Sequence, residues 1–225
     1  MSYECHIVLD LEFNPTSRAN RRLLRNEILE IGAVKLNAQM EEIGRFSCLV
    51  KPELNSIVDP QIVKLTGIRT EDVRNAHGFA DALRLFAEWV GPARARICSW
   101  SDNDLTQLQK ECSAKGVEFP VCLGRWMDIQ KIYQRIIHYP ARQHLALRYA
   151  AKMLDVPFSD TEAHRAVYDT EVTADIYRMM CSSGFLARQR EANRTFVTGS
   201  THSTYSIGSA CGSALAALMA TLPAA

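Results

Sequence analysis

Three apolar stretches of strand length fall within the first 51 residues, before any helical text begins. Residues 5–13 (CHIVLDLEF), 27–37 (EILEIGAVKLN) and 43–51 (IGRFSCLVK) are rich in Ile, Val and Leu, and turn-forming segments bound them. The second and third are separated only by residues 38–42, a hairpin-length connection, so they are expected to pair antiparallel. Helical text follows. Asp59-Pro60 opens a short helix that Gly67 closes, and residues 79–90 place Ala82, Leu83, Phe86 and Val90 at helical spacing before Gly91-Pro92. A fourth strand is expected over residues 95–100 and a helix over about 103–115. A short strand at 126–129 then leads into a helix ending near His138, and further helices cover about 143–154 and 163–181. Strands first, then helices with strands reached across them, predict an α/β layer fold: a mixed five-stranded sheet flanked by helices, as a single domain.

The chain has 225 residues, 47% of them hydrophobic, which is enough for a packed core. Its 26 basic residues nearly cancel 25 acidic ones, so bulk positive charge is excluded as the means of holding nucleic acid, although a local basic surface is not. Seven scattered cysteines without a C-x-x-C pair argue against a zinc site or a disulfide framework and for a reducing compartment, here the cytoplasm. The N-terminal residues lack a basic n-region, and no stretch approaches the ~20 apolar residues of a membrane span. Residues 195–225 contain no Asp, Glu, Lys or Arg. Residues 186–225 therefore read as a low-complexity, flexible tail on a domain of residues 1–185. A short apolar helix at 214–222 that docks on a protein partner is the alternative.

The acids stand at the ends of expected elements. Asp10 and Glu12 finish the first strand as D-x-E, and a period of two puts both on one face, where they can share a hard cation. Asp104 follows the fourth strand; Asp102 competes with it, and the expected division has Asp102 or Asn103 capping the next helix while Asp104 faces the site. His164 and Asp169 are five residues apart, about 140° around a helix when the following turns are added at 100° per residue. Both reach one site only if His164 lies on the entry loop or first turn and Asp169 one turn further in. Four converging carboxylates repel one another unless divalent cations neutralise them, and oxygen donors favour Mg²⁺ or Mn²⁺ over zinc. Two such ions roughly 3.5–4 Å apart suit in-line displacement at phosphorus, with a histidine as general base for the attacking water.

In this order, D-x-E, a distant Asp after a strand, then H-x₄-D in the segment HRAVYDT, the sequence resembles the DEDD exonucleases of the ribonuclease H-like fold. Arg165 stands where the tyrosine variant has its Tyr, which matches the histidine subtype, DEDDh. The resemblance spans about residues 5–181. It implies that Asp10, Glu12, Asp104 and Asp169 ligate two Mg²⁺ ions, for which Mn²⁺ can substitute, and that His164 is the base. The EILEIG segment, residues 63–68 (VKLTGI) and Ser99-Trp100 are similar to the branch holding the histone-mRNA 3′ exonuclease, Eri-type nucleases and the sporulation inhibitor KapD. Proofreading exonucleases usually have His-Asn where Ser99-Trp100 stands, which points towards RNA.

The expected activity is Mg²⁺-dependent 3′→5′ hydrolysis of single-stranded RNA ends, releasing nucleoside 5′-monophosphates. The alternatives are the same chemistry on DNA, or a non-catalytic regulator that binds nucleic acid or protein. Substrate contacts are expected from Arg21 and Arg22 in an arginine-rich, acid-free loop (residues 14–26), and from Phe13 and Trp100 as stacking surfaces, with core packing the alternative for both rings and the preferred one for Trp100. Leu65 and Thr66 sit in a turn resembling the family segment that wedges beside the terminal nucleotide. A second acid-free basic stretch, residues 130–154, either binds phosphates or is a solvated face. Glu30, set between Leu29 and Ile31, is expected to pair with a basic group or with backbone near the site.

Overall fold

The computed structural model describes residues 3–140 and 142–189. Of the expected tail at residues 186–225, residues 190–225, with the alternative helix at 214–222, lie outside the described residues, while residues 186–189 are helical. The strands are β1 (Cys5–Pro15), β2 (Asn26–Asn37), β3 (Glu42–Leu49), β4 (Ala95–Ser99) and β5 (Trp126–Asp128). They form one sheet in the order β3-β2-β1-β4-β5. β1–β2 and β2–β3 are antiparallel, whereas β1–β4 and β4–β5 are parallel. The helices are α1 (Pro60–Thr66), α2 (Thr70–Val73), α3 (Phe79–Val90), α4 (Asn103–Lys115), α5 (Ile129–Ile136), α6 (Leu147–Met153) and α7 (Ala166–Cys181), with a 3₁₀ turn at Val121–Leu123.

β1 is central and buried on both faces, which is why its apolar run is nearly continuous. Ile7, Leu9 and Leu11 pack with α3 and α4 residues such as Phe86 and Leu108. On the other face Val8 joins α5, α6 and α7 through Tyr133, Ala150 and Tyr177. Asp10 and Glu12 follow Val8 at the same period, so they face the α7 side.

Several boundaries differ from the sequence expectation for identifiable reasons. β1 runs on to Pro15 because pairing with β2 resumes beyond a register shift between Glu12 and Phe13. α6 begins at Leu147 rather than near residue 143. The carbonyl of Gln143 accepts the Gln134 side chain, and that of Leu145 accepts Trp100 and Gln130, so both are diverted from any helical ladder. α5 ends at Ile136, two residues before His138 adopts a left-handed backbone. α7 begins at Ala166, which leaves His164 in the preceding loop.

α4 carries an ion cluster at its last turn. Lys115 Nζ lies 3.0 Å from Glu27, 2.8 Å from Glu111 and 2.9 Å from Glu53, with Glu27 and Glu111 fully buried. Glu27 also accepts the backbone N–H groups of Glu53, Leu54 and Asn55, tying the chain before α1 to the start of β2.

Gly32 of β2 is where α7 is seated. A Cβ built there would stand 2.4 Å from the Ala166 carbonyl carbon and 2.5 Å from the Val167 nitrogen, both backbone atoms. Gly32→Ala is therefore expected to push the first turn of α7 off the sheet. The cost is about 1–3 kcal/mol, the usual range for overpacking, with a melting temperature lower by roughly 2–4 °C per kcal/mol. A thermal melt identical to wild type would show that α7 is not seated on this glycine.

Candidate active site

The parallel pairing of β1 with β4 stops at Val8↔Cys98, so beyond it β1 is paired only on its β2 side. The Leu11 N–H is thereby left for a side chain, and Asp104 Oδ1, on the first turn of α4, accepts it at 3.2 Å. Asp104 is buried. Opposite Asp10 on β2 stands Gly32, and above that glycine the first turn of α7 brings in Asp169. The carboxylates thus come from the end of one strand and from the first turns of two helices. First helical turns favour acids, because the free N–H groups there carry partial positive charge.

His164 lies on the loop entering α7 with a left-handed backbone (φ 63°), and its N–H donates to Asp169 Oδ2 at 3.1 Å. This is the arrangement the five-residue spacing required. Ligand atoms of Glu12, His164 and Asp169 all lie within 4.8 Å of one another. Asp169 Oδ1 is buried without a hydrogen-bond partner among the described residues.

Electrostatics tie Asp10 and Asp104 to that group. Loss of hydration, followed by the charges of Asp104, Glu12, Asp169 and Glu30, pushes Asp10 well above the usual carboxylate range. Burial and the neighbouring Asp169, Glu30 and Asp104 raise Glu12 to about 8, with Arg165 opposing. Burial raises Asp104 to about 7, against the backbone N–H groups that hold its ionised form. Asp169 is raised by burial and partly relieved by its contact with His164. The four-carboxylate donor set and the orphaned Asp169 oxygen fit hard divalent cations, which would return all four groups to the ionised form.

Glu30 has the partners expected of it. Buried directly across from Glu12, it accepts Arg165 Nε at 3.2 Å and Nη2 at 3.0 Å, together with the Ala166 N–H at 3.1 Å. This forked pair holds the His164 loop against β2 and offsets the charge of two acids facing each other across the ladder. Arg165 had been read only for not being tyrosine; its positioning role had no local signal, since its partner is 135 residues away. Asn14 was also missed. Fully buried just beyond Phe13, it donates to the Ile57 carbonyl and accepts the Asp59 N–H, anchoring the cap of α1 to the end of β1.

Three expectations need correction. Trp100 is not a stacking platform: it is 8% exposed, packs near Tyr133, and donates Nε1–H to the Leu145 carbonyl at 3.0 Å. The Thr66 side chain is likewise unavailable to substrate, because its hydroxyl donates to the Ile62 carbonyl and accepts the Ile68 N–H, closing α1 from within. Asp102 occupies the N-cap position of α4 without capping it by its side chain, since its carboxylate is held by Lys131; the Asn103 N–H goes instead to Ser101 Oγ.

The remaining candidates are open to solvent to different degrees. Leu65 is 48% exposed beside Gly67, whose φ of 74° ends α1. Phe13 is half-buried, against the α3–α4 core. Arg18, Arg21, Arg22 and Arg25 are exposed on the loop between β1 and β2, and among the described residues none is in an ion pair. That loop is shaped by Thr16, which bonds to the Leu24 and Arg25 carbonyls, and by Asn20, which reaches the Leu54 carbonyl. No helix among the described residues is long and apolar enough to cross a membrane.

The chain is similar to known proteins. The 3′-5′ exoribonuclease 1 of Rattus norvegicus is 26% identical over 197 residues, which cover 84% of this chain and 56% of that protein, so the chain spans little more than half of its relative's length. The solved nuclease domain of 3′hExo, described as a DEDDh family member bound to rAMP, superposes with a TM-score of 0.71 at 22% identity, covering 82% of this chain and 94% of that one. E. coli exonuclease I in complex with a dA16 oligonucleotide gives a TM-score of 0.63 at 15% identity, covering 85% and 43%. Such structural likeness shows the ribonuclease H-like fold. Residues 7–177 match the RNase T exonuclease family, and the chain belongs to that family, as the DEDDh motifs of its sequence implied.

Proposed function

We propose that the chain is a divalent-cation-dependent 3′→5′ exoribonuclease that hydrolyses the terminal phosphodiester of single-stranded RNA and releases nucleoside 5′-monophosphates. The observation carrying this reading is the convergence of four carboxylates, each held above its ordinary protonation range, beside an exposed histidine. Asp10, Glu12, Asp104 and Asp169 would hold two Mg²⁺ ions, with Mn²⁺ as substitute. Bound there, the ions supply charge neutralisation at the phosphate and a lowered pKa for water. His164 accepts the proton of the attacking water as its oxygen bonds to phosphorus and the P–O3′ bond breaks. The loop arginines pair with phosphates, while Leu65 and Phe13 bound the terminal base. The catalytic unit is residues 1–185, and its free cysteines suit the cytoplasm.

RNA is favoured by the names of curated relatives such as 3′-5′ exoribonuclease 1 and ERI1 exoribonuclease 2, although DNA polymerase III PolC-type of Bacillus subtilis is also among the relatives. DNA is the second reading, favoured by the fold shared with exonuclease I holding dA16. The test uses 5′-labelled single-stranded RNA and DNA with Mg²⁺, Mn²⁺ or chelator. Cation-dependent ladders that shorten from the 3′ end, faster on RNA, are expected. His164→Ala should lower turnover by roughly 10²–10⁴-fold with RNA affinity retained. Faster loss of DNA would exchange the substrates. No trimming of either polymer would leave a binding regulator as the reading.

A further inference from the structure

A groove of about 530 Å³ lies on the α6 side of the molecule, lined by Tyr139, Leu145, Tyr149, Lys152 and Met153. Tyr149 and Met153 are 51% and 54% exposed, although both belong to types that normally find cover. The Arg148 guanidinium lies over one face of the Tyr149 ring, 4.7 Å from its centroid, and backs that ring with positive charge. Residues 130–154 contain no Asp or Glu. Arg142, Arg148 and Lys152 are exposed, and among the described residues none is in an ion pair. An aromatic surface flanked by unneutralised cations is complementary to a polyanion whose bases present flat faces; a purely apolar partner would leave those cations desolvated and unpaired.

The groove is tied to the catalytic end of the sheet. The carbonyl of Leu145, which lines it, accepts both Trp100 Nε1–H and Gln130 Nε2–H at 3.0 Å, and Trp100 precedes Asp104 by four residues. On its other side the chain leaves α6 and reaches His164 in eleven residues. Resting on the activity proposed above, we infer that this groove carries the single strand upstream of the reactive 3′ end. One base stacks on Tyr149, and the adjoining phosphates pair with Lys152, Arg142 and Arg148. The arginine loop between β1 and β2 is a separate surface and does not account for these residues.

The test compares wild type with a Tyr149→Ala/Lys152→Ala double variant, whose two sites are exposed enough for the fold to be kept, as a melt would verify. Hydrolysis of a 12-nucleotide single strand is measured beside that of a dinucleotide too short to reach the groove. Binding of the fluorescent 12-mer is followed by anisotropy in chelator. The variant should raise KM and Kd for the 12-mer about tenfold and flatten the salt dependence of binding, leaving dinucleotide hydrolysis unchanged. Tyr149→Phe, which keeps the ring, should restore most of the loss. Unchanged 12-mer affinity, or an equal loss on the dinucleotide, would overturn the groove assignment. If wild type cleaves neither substrate, the proposed activity fails, and the chelator binding series still decides the groove by itself.

Discussion

Asp10→Asn is expected to lower hydrolysis by roughly 10³-fold or more, the scale seen when one member of a set acting as a unit is removed, and at the same time to raise the melting temperature of the cation-free protein. The two effects have one cause. Asp10 is driven far above the normal carboxylate range by dehydration and by the charges of Asp104, Glu12, Asp169 and Glu30. An amide of the same shape carries no charge to be repelled, so the folded state loses a liability when cations are absent. The same change removes a donor for those cations, so the shift in melting temperature produced by Mg²⁺ or Mn²⁺ should shrink. An ordinary core substitution lowers stability and activity together. A variant that melts below wild type in chelator, or one that retains activity, would show that Asp10 is not held against its neighbours' charge.

The second large effect is a reversal of pH dependence by cations. In the folded chain Glu12 titrates at about 8 and Asp104 at about 7, with Asp10 and Asp169 also raised. In the unfolded chain all four are ordinary acids ionised above about pH 4–4.5. Between those limits the folded state binds more protons than the unfolded state, so stability is greatest on the acid side and falls as pH rises through about 7 and 8. Cations bind the ionised carboxylates and displace those protons, so their stabilisation must grow over the same interval. Melts at pH 5.5, 7 and 8.5 are expected to descend in chelator and to flatten or rise in Mg²⁺. Each ~1 kcal/mol reads as roughly 2–4 °C. A chelated protein that gains stability towards pH 8.5 would contradict the crowding of these acids.

Local patterns in the sequence carried much of this architecture. α3 was bounded by Gly91-Pro92 after Val90, and α4 was expected over about residues 103–115; both spans agree with the structure. D-x-E at a strand end and His-x₄-Asp across a helix entry were legible because each is a geometric relation over a few residues. Family and fold followed from those motifs. What escaped rests on contacts between distant segments. For Trp100 the sequence left a platform open beside core packing, because nothing near it reveals the Leu145 carbonyl that holds its indole. Asp102 looked like a cap because Lys131 is 29 residues on. The seat of α7 on Gly32 was equally silent, since a glycine in a strand does not say which backbone will approach it.

α4 connects two gatherings of acids that are balanced differently. At its first turn Asp104 joins carboxylates that Arg165 and His164 offset only in part. At its last turn Glu111 meets Glu27 and Glu53 around Lys115, whose ammonium is supplied by the chain itself. One end of the helix holds a cation that belongs to the chain, and the other depends for most of its counter-charge on what the solution provides. A chelator therefore acts on one of the two acid clusters: it leaves the root of the arginine loop and the approach to α1 locked, and it unbalances only the end where bond cleavage is proposed to occur.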